Sequence, residues 1–555
     1  MGRTVAEALL CALDDQGVEY FIGGGAGTDF PPIIEAFAKR QAERIDGVQP
    51  LTIVHEITAV AMAHGYAMVS GKTPFVMLHT SVGTANGLGG IINATRSRTP
   101  IVLAAGRSPI TEHGHRGSRS IVIHWAQETF DQGGMLREFV KWDYELRMAS
   151  QTTDVIDRAF GIAGSDPSGP VYLTLPLEVL SEPFVGDIDP PRQHPLTAAR
   201  PNAAAVEAVV EVLRGAHNPV LVTSSLGRDP GAVPALVELA ERLAMPVIEQ
   251  APTHLNFPRD HALHMGYDPS SLVRDADVIV VVDSGTPWYP DSTRLREGAR
   301  VVQIDEDALY QSYPMRGFST EFTLTGRPRH ALEDLLAALD GFEAPADRLA
   351  RWSKTSEARR AALVYDASST PVDPRWVSHC VGELLSEQDI LVTEYVLNPA
   401  FAPHLRPGGY FNHSHAGGLG WGINAALGAK LARPAANVIC CIGDGAYTFG
   451  APVSAHHAAA MHGLGVLFVV FNNSLLNATR RAAMAQNPQG WVMQSESVPF
   501  CDLRPSPRYE QVCQAAGGYG EYVDDPAALP GALARAQREV LNGRQALVNV
   551  ACAAL

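Results

Sequence analysis

Apolar residues in this chain recur as short uninterrupted runs that stop at glycine or polar residues. Residues 438–442 (VICCI) stop at the triplet 443–445 (GDG), and residues 466–471 (VLFVVF) stop at the pair 472–473 (NN). An apolar run of this length between turn residues is typical of a strand that is buried on both faces. The Ala- and His-rich segment between the two runs is long enough for a helix, so the pattern predicts two parallel strands joined by a helix.

The same alternation of strand and helix patterns extends along the chain and predicts an α/β protein. A proline-rich polar linker at 183–201 separates the first part of the chain from the rest. We therefore expect three doubly wound parallel-sheet domains at 1–187, 202–345 and 367–555. The clearest predicted helices are 5–15, 59–69, 203–213, 232–243, 346–366 and 530–541, and the clearest strands are 20–22, 74–78, 220–223, 278–282, 301–304, 390–392 and 546–550.

Composition and charge narrow the range of partners. The hydrophobic share of 46% and the charged share of 18% are ordinary for globular proteins. No apolar run reaches the roughly 18 residues of a membrane span, and the N-terminal segment has acidic residues in an amphipathic pattern, so we expect a cytoplasmic protein without a membrane partner. The formal net charge of −16 argues against nucleic acid. The seven cysteines lack metal-ligand spacing and are expected to be reduced thiols.

The polar residues that end the two apolar runs should lie at one edge of the sheet. Parallel strands end on the same side, and this is where open α/β sheets bind ligands. Asp444 and Asn473 would contribute a carboxylate and an amide oxygen, which are hard ligands that suit Mg²⁺. Gly443 and Gly445 allow backbone N–H groups to approach a phosphate without a Cβ in the way. The sequence therefore predicts a diphosphate cofactor held through Mg²⁺.

Two motifs point to one family. The GDG triplet, followed after 26 residues (446–471) by NN, resembles the thiamine diphosphate (ThDP) binding motif. The pattern HE-x-x-A-x-x-x-A-x-GYA-x-x-SGK, which begins at His55, resembles the pyrimidine-binding domain of the ThDP-dependent decarboxylase and acetolactate synthase superfamily. The resemblance implies a pyrimidine-binding first domain, a Rossmann-like central domain and a diphosphate-binding last domain. The central domain has no dinucleotide glycine fingerprint, so no functional flavin is expected there.

The resemblance assigns chemistry to three residues of the first domain. The resemblance implies that Glu56 is the residue that exchanges protons with the cofactor. His79 ends a predicted strand, as a histidine does in benzoylformate decarboxylases, and is expected to move protons, for which imidazole is suited. Gln127 lies in a QE-x-x-D-Q run that resembles acetolactate synthases and is expected to face the thiazolium and the substrate.

Further roles in the last domain follow from the GGLG sequence at 417–420, which resembles benzoylformate decarboxylases. The resemblance implies that the carbonyl group of Gly417 receives the cofactor's amino group and that Leu419 forms a wedge beneath the cofactor. His413 and His415 are additional candidates for proton transfer. Residues 476–510 show little periodicity and are expected to cover the site. The predicted cofactor residues are Gly417, Leu419, Gly443, Asp444, Gly445, Ala446 and Asn473, and the predicted Mg²⁺ ligands are Asp444, Asn473 and the carbonyl oxygen of Leu475.

The resemblance implies a ThDP- and Mg²⁺-dependent lyase, with decarboxylation of a 2-oxo acid and carboligation as the first choice. Three alternatives stay open: an acetolactate synthase-like acyl transfer, a 2-hydroxyacyl-CoA lyase or oxalyl-CoA decarboxylase suggested by the QETFDQ run, and a ThDP-binding protein without turnover. The expected partners are a small 2-oxo acid, an aldehyde or an acyl-CoA. We also expect a homodimer or homotetramer in which Glu56 of one subunit meets the cofactor held by the last domain of another.

Overall fold

A computed structural model of the protein describes residues 2–185, 197–495 and 497–554. These residues contain three parallel sheets, each flanked by helices, which confirms the predicted three-domain α/β fold. The predicted linker at 183–201 falls largely on residues 186–196, outside the described ranges. The domain boundaries at 1–187, 202–345 and 367–555 stay predictions.

The first sheet has six strands in the order β2-β1-β3-β4-β6-β5, and all neighbouring strands are parallel. Its strands are β1 (Tyr20–Gly24), β2 (Gln49–Ile53), β3 (Phe75–Leu78), β4 (Val102–Arg107), β5 (Asp143–Glu145) and β6 (Val171–Pro176). The helices of this part of the chain are α1 (Val5–Asp15), α2 (Pro31–Glu43), α3 (Glu56–Ser70), α4 (Thr80–Arg96), α5 (Ile123–Ala126), α6 (Thr152–Gly164) and α7 (Leu177–Ser181).

The central sheet has five parallel strands in the order β11-β10-β9-β7-β8. Its strands are β7 (Pro219–Thr223), β8 (Val247–Glu249), β9 (Val278–Val282), β10 (Arg300–Asp305) and β11 (Phe322–Thr325). The accompanying helices are α8 (Ala203–Arg214), α9 (Ala232–Leu243), α10 (Ser270–Asp275), α11 (Pro328–Ala338) and α12 (Ala346–Ala361).

The third sheet has six parallel strands in the order β13-β12-β14-β15-β17-β16. Counted within each domain, this is the order 2-1-3-4-6-5 of the first sheet, so these two domains have the same topology. The strands are β12 (Ile390–Glu394), β13 (Tyr410–Asn412), β14 (Val438–Gly443), β15 (Leu467–Asn472), β16 (Tyr519–Val523) and β17 (Ala546–Ala551). The helices are α13 (Pro374–Gly382), α14 (Trp421–Ala432), α15 (Asp444–Phe449), α16 (Pro452–Met461), α17 (Asn477–Gln486), α18 (Tyr509–Ala515) and α19 (Leu529–Leu541).

Two predicted helices differ from the structure by three or more residues at one end, and a helix occurs where irregular structure was expected. Helix α3 begins at Glu56 instead of residue 59, because the side chain of His55 caps it by accepting a hydrogen bond from the backbone N–H of Ile57. Helix α12 ends at residue 361 instead of 366. The expectation of irregular structure throughout 476–510 is wrong at α17. None of the residues of α17 is buried, so this helix leaves no apolar periodicity in the sequence.

The first and third domains pack through α3 and α14. A Cβ at Gly65 of α3 would lie 2.1 Å from the carbonyl oxygen of Ala425, and a Cβ at Gly428 of α14 would lie 1.9 Å from the carbonyl oxygen of Met62. The two helix backbones can therefore approach this closely only because both positions are glycine. Both helices contribute to one apolar core that spans the two domains. No helix of the described ranges is long and apolar enough to cross a bilayer.

Neighbouring cysteines in β14 point to opposite faces of the third sheet, as the period of a strand predicts. Cys440 belongs to the core that contains α3 and α14, and Cys441 belongs to a second core that contains α13 and α19. All seven cysteines are unpaired thiols.

A buried cluster of charges joins the first and central domains at the ends of β9 and β10. Arg98 of the first domain donates a hydrogen bond from Nη1 to Oδ1 of Asp305 at 2.7 Å, and its Nη1 lies 3.6 Å from Asp283. Arg228 of the central domain pairs with Asp283 at 2.9 Å. The Arg98 side chain is 12% exposed and that of Asp305 is fully buried. Water therefore solvates neither charge well, and each depends on its partner for stabilisation.

We predict that Arg98→Ala lowers the free energy of unfolding by about 3–5 kcal/mol, because it leaves Asp305 buried without its cation. Chemical denaturation of the wild type and the variant measures this change. Arg300→Ala is the matched control, because Arg300 pairs with Glu321 on the surface and should change stability far less. Equal losses in the two variants would contradict this account of the cluster.

Candidate active site

A cavity of about 660 Å³ opens at the carboxyl edge of the third sheet, where β14 and β15 end. It is formed by the ends of these strands, by the beginnings of α15 and α17, and by the loop that precedes α14. Every residue that the sequence assigned to the cofactor or to the metal lines this one cavity: Gly417, Leu419, Gly443, Asp444, Gly445, Ala446, Asn473 and Leu475.

Asp444 is a buried carboxylate at the first turn of α15. Its side chain accepts hydrogen bonds from the backbone N–H of Gly445 at 2.8 Å and of Ser474 at 2.7 Å. Burial raises the pKa of Asp444 to about 6, and the groups that oppose this shift are backbone N–H groups. A bound divalent cation would supply the positive charge that favours the ionised form.

The other oxygen donors come from the segment after β15. Asn473 lines the cavity, and its Oδ1 accepts a hydrogen bond from the backbone N–H of Leu475 at 2.9 Å. Asn472 instead pairs with Ser506 and Asn549. The described ranges contain no group of three or more His, Cys, Asp or Glu side chains that could hold a metal. One carboxylate, one amide and one backbone carbonyl are a donor set that fits Mg²⁺, which takes few protein ligands and completes its shell with phosphate and water.

The 417–420 loop forms one wall of the cavity. Gly417 and Gly420 have φ values of +70° and +87°, which residues with a Cβ rarely adopt. The carboxylate of Glu394 accepts hydrogen bonds from the backbone N–H of Gly420 at 2.8 Å and of Gly422 at 2.6 Å. Burial raises the pKa of Glu394 to about 7. Sequence reasoning did not identify Glu394 as the support of this loop.

The predicted catalytic residues Glu56, His79 and Gln127 lie together at the carboxyl edge of the first sheet. Nε2 of His79 is 3.2 Å from Nε2 of Gln127, and Nδ1 of His79 is 2.5 Å from Oδ1 of Asp29. Nδ2 of Asn86 donates a hydrogen bond to Oε2 of Glu56 at 3.2 Å. The hydrogen bond to Asp29 is the main cause that raises the pKa of His79, and the nearby charge of Glu56 adds to it.

Asp29 is a site residue that sequence reasoning missed. It lies in the glycine-rich turn after β1. Because β1 and β3 are neighbours in the sheet, the turn after β1 meets His79 at the end of β3. Asp29 is 2% exposed, so its carboxylate is directed at the histidine and not at solvent. The strand order would have revealed this pair, but the strand order was not part of the prediction.

The two clusters do not meet within one chain. The residues that line the cavity at Asp444 all lie between 374 and 553, and the set does not include Glu56, His79 or Gln127. His413 and His415 line a neighbouring cavity of about 910 Å³ that shares Tyr395 with the first. Burial lowers the pKa of His413 to about 3, so this imidazole is neutral near pH 7.

Three family models match three successive parts of the chain. The N-terminal TPP-binding domain of thiamine pyrophosphate enzymes matches residues 3–135, the central domain matches 206–335, and the C-terminal TPP-binding domain matches 397–550. The chain belongs to the thiamine pyrophosphate enzymes. Thiamine pyrophosphate is another name for ThDP, so the predicted family is confirmed.

Related thiamine pyrophosphate enzymes cover most of this chain. The benzoylformate decarboxylase of Pseudomonas aeruginosa is 30% identical in an alignment of 472 positions that covers 81% of this chain and 84% of that protein. The acetolactate synthase isozyme 3 large subunit of Escherichia coli is 25% identical in an alignment of 574 positions that covers 98% of this chain and 94% of that protein. The crystal structure of benzoylformate decarboxylase from Polynucleobacter necessarius superposes with a TM-score of 0.81 at 22% identity, over 99% of this chain and 98% of that one. This last similarity shows the fold.

We predict that Asp29→Asn lowers the pKa of His79, because the amide removes the carboxylate that favours the imidazolium. NMR titration of His79 in the wild type and in the variant measures the shift directly. Asp131→Asn is a control that removes an exposed carboxylate paired with Arg137, and it should leave the titration of His79 unchanged. An unchanged pKa in Asp29→Asn would show that the short contact with Asp29 does not control this histidine.

Proposed function

We propose that this thiamine pyrophosphate enzyme is a Mg²⁺-dependent carbon–carbon lyase that decarboxylates a 2-oxo acid and also joins the resulting acyl unit to an aldehyde. The observation that carries the proposal is the buried Asp444 beside Asn473 in a cavity walled by Gly417 and Leu419. The 30% identity to a benzoylformate decarboxylase supports decarboxylation over other reactions of the family.

The residues of the cavity have separate tasks in this proposal. Asp444, Asn473 and the carbonyl oxygen of Leu475 would hold Mg²⁺, and the backbone of residues 443–446 would face the diphosphate. The carbonyl group of Gly417 would accept a hydrogen bond from the cofactor's amino group, and Leu419 would pack beneath the cofactor. When bound, ThDP supplies the electron sink that makes loss of CO₂ from a 2-oxo acid feasible.

The first-domain cluster would handle protons. Glu56 would hold a proton facing the pyrimidine ring, which is the role that the family motif assigns to it. Because Nδ1 of His79 is bonded to Asp29, Nε2 is the atom that would exchange a proton with the substrate. Its raised pKa means that a larger fraction of His79 is protonated at neutral pH than in an ordinary histidine. Nε2 of Gln127 can donate to Nε2 of His79 when that nitrogen is unprotonated, so Gln127 would orient the imidazole in its proton-accepting form.

A second copy of the chain would bring the two clusters together. Glu56 does not line its own chain's cofactor cavity, so we propose that it serves a cofactor held by the neighbouring subunit. Large apolar side chains are exposed near both clusters, including Val82 and Phe130 in the first domain and Phe449 and Trp491 in the third. The proposed interface would cover these side chains. The proposed assembly is a homodimer or a homotetramer.

An acetolactate synthase-like acyl transfer is the second candidate, favoured by the contact of Gln127 with His79 and by the similarity to acetolactate synthases over 98% of the chain. A panel of 2-oxo acids, with ThDP and Mg²⁺, separates the two candidates. Release of CO₂ together with free aldehyde supports the decarboxylase. Release of CO₂ with a condensed 2-hydroxy-2-alkyl acid supports the transferase, and no turnover of any substrate would contradict both.

Asp444→Ala should abolish Mg²⁺-dependent binding of ThDP while the protein stays folded, because it removes the one carboxylate of the proposed metal site. Isothermal titration calorimetry with ThDP, in the presence and absence of Mg²⁺, measures the effect. Asp502→Ala removes a carboxylate of the same domain that pairs with Arg504 and serves as the control. Binding by Asp444→Ala at the wild-type affinity would exclude this metal site.

Glu56→Gln should bind ThDP but lose most of the activity, by about 10²-fold or more, because the amide cannot donate and accept the proton as a carboxyl group does. Mixing subunits of Glu56→Gln and Asp444→Ala then tests the interface. If each site takes Glu56 from one chain and Asp444 from the other, mixed dimers contain one intact site and regain activity. If both residues act within one chain, every site keeps a defect and the mixture stays inactive.

A further inference from the structure

Asn93 of the first domain makes a paired hydrogen bond to the wall of the cofactor cavity in the same chain. Its Nδ2 donates to the carbonyl oxygen of Gly418 at 2.8 Å, and its Oδ1 accepts from the backbone N–H of Gly418 at 3.0 Å. The residue is 3% exposed. Both polar atoms of the Asn93 amide therefore bond to the backbone N–H and C=O groups of one residue, in the middle of the 417–420 loop.

Only an amide of this length meets both demands. A carboxylate could accept from the N–H of Gly418 but could not donate to its carbonyl group, and an aliphatic side chain would leave both backbone groups without these partners. The contact is also tight: a Cβ on Gly418 would lie 2.8 Å from both polar atoms of Asn93. The fit between this glycine and this asparagine is therefore specific.

The contact with Asn93 holds the part of the loop that lies between its other hydrogen bonds. Glu394 holds the end of the loop through Gly420 and Gly422, and Gly417 donates its backbone N–H to the carbonyl oxygen of Ser414 at 3.0 Å. Asn93 fixes the residue between Gly417 and Leu419, the two positions to which the proposed function gives the cofactor contacts. The N–H of Gly418 shares a peptide plane with the carbonyl group of Gly417, and the carbonyl group of Gly418 shares the next plane with the N–H of Leu419. Loss of the Asn93 contacts would therefore free both planes.

The contact also connects the two clusters of one chain. Helix α4 begins immediately after His79 and carries Asn93 near its other end, about 20 Å along the helix axis. One rigid element therefore carries the histidine at one end and supports the cofactor wall at the other. In the proposed assembly these two ends belong to different active sites.

We infer that Asn93 is a positioning residue that holds the backbone of Gly418, and through it Gly417 and Leu419, in the geometry that their proposed contacts with the cofactor require. This inference rests on the proposed function for its meaning, but the contact can be tested in the cofactor-free protein. Asn93 itself does not line the cavity and does not touch substrate.

The first test compares Asn93→Ala with Ser454→Ala. Ser454 accepts a buried hydrogen bond from Thr58 of α3 at 3.2 Å, so its substitution also removes one contact between the first and third domains but leaves the 417–420 loop untouched. In the cofactor-free protein, hydrogen exchange of a peptide covering 412–422 should be faster in Asn93→Ala and unchanged in Ser454→Ala.

The same two variants give a binding and a kinetic readout. Asn93→Ala should raise the apparent Kd for ThDP at saturating Mg²⁺ about tenfold and lower kcat by about 10–100-fold, because a misplacement of about 1 Å at the reacting groups is costly. KM for the 2-oxo acid should change little, since the loop supports the cofactor. Exchange, Kd and kcat equal to those of Ser454→Ala would overturn the inference.

Gly418→Ala tests the contact from its other side and does not require Asn93→Ala to be stable; a double-mutant cycle with Asn93→Ala then measures the coupling of the two residues. Gly418→Ala places a methyl group against Asn93 and should slow the enzyme and weaken ThDP binding on its own. Asn93→Ala removes the atoms that this methyl group meets, so the penalty of Gly418→Ala should shrink in the Asn93→Ala background. Additive penalties would contradict the inference. If the wild type fails to bind ThDP, the proposed function fails, while the hydrogen-exchange result still decides whether Asn93 holds the loop.

Discussion

The close packing of α3 against α14 is the constraint on which the site geometry depends. Each helix presents a glycine to the backbone of the other, and any Cβ at Gly65 or Gly428 would collide with a carbonyl oxygen. Helix α3 begins at Glu56, and α14 begins directly after the 417–420 loop. The packing of two small-residue helices therefore fixes the relative positions, within one chain, of the two motifs to which the proposed function assigns the chemistry, and it brings Asn93 within reach of Gly418.

The elements buried on both faces could be predicted from the sequence, because a continuous apolar run between turn residues leaves few alternatives. This is why β14, β15 and the convergence of Asp444 with Asn473 were predicted. Strand order could not be read from the chain, because sheet neighbours are set by crossover connections and not by local pattern. Asp29, whose partner lies 50 residues away, and Asn93, whose partner lies 325 residues away, were missed for this reason. Helix α17 was missed because none of its residues is fully buried, so it has no apolar face in the sequence.

The family resemblance supplied what the physical pattern could not. Spacing and burial indicate an oxygen-rich site beside a glycine turn, but they do not identify a thiazolium cofactor or the role of Glu56. The structure in turn supplied what the resemblance lacked: the partner of His79, the support of the 417–420 loop by Glu394 and Asn93, and the separation of the two clusters within one chain. In this acidic protein, backbone N–H groups, the proposed metal ion and the two arginines that line the cavity, Arg375 and Arg481, would supply the positive potential for an anionic cofactor.

The distribution of cysteines has a practical consequence for chemical labelling. Six of the seven thiols are buried, and burial raises the pKa of Cys380, Cys440, Cys441, Cys513 and Cys552. Electrophiles react with the thiolate at accessible positions, so these buried groups are poor targets in the native protein. Cys11, which is partly exposed on α1, is the thiol at which a maleimide dye would attach, on a helix that contributes no residue to the cofactor cavity. The chain thus provides a fluorescent handle without the removal of any native cysteine.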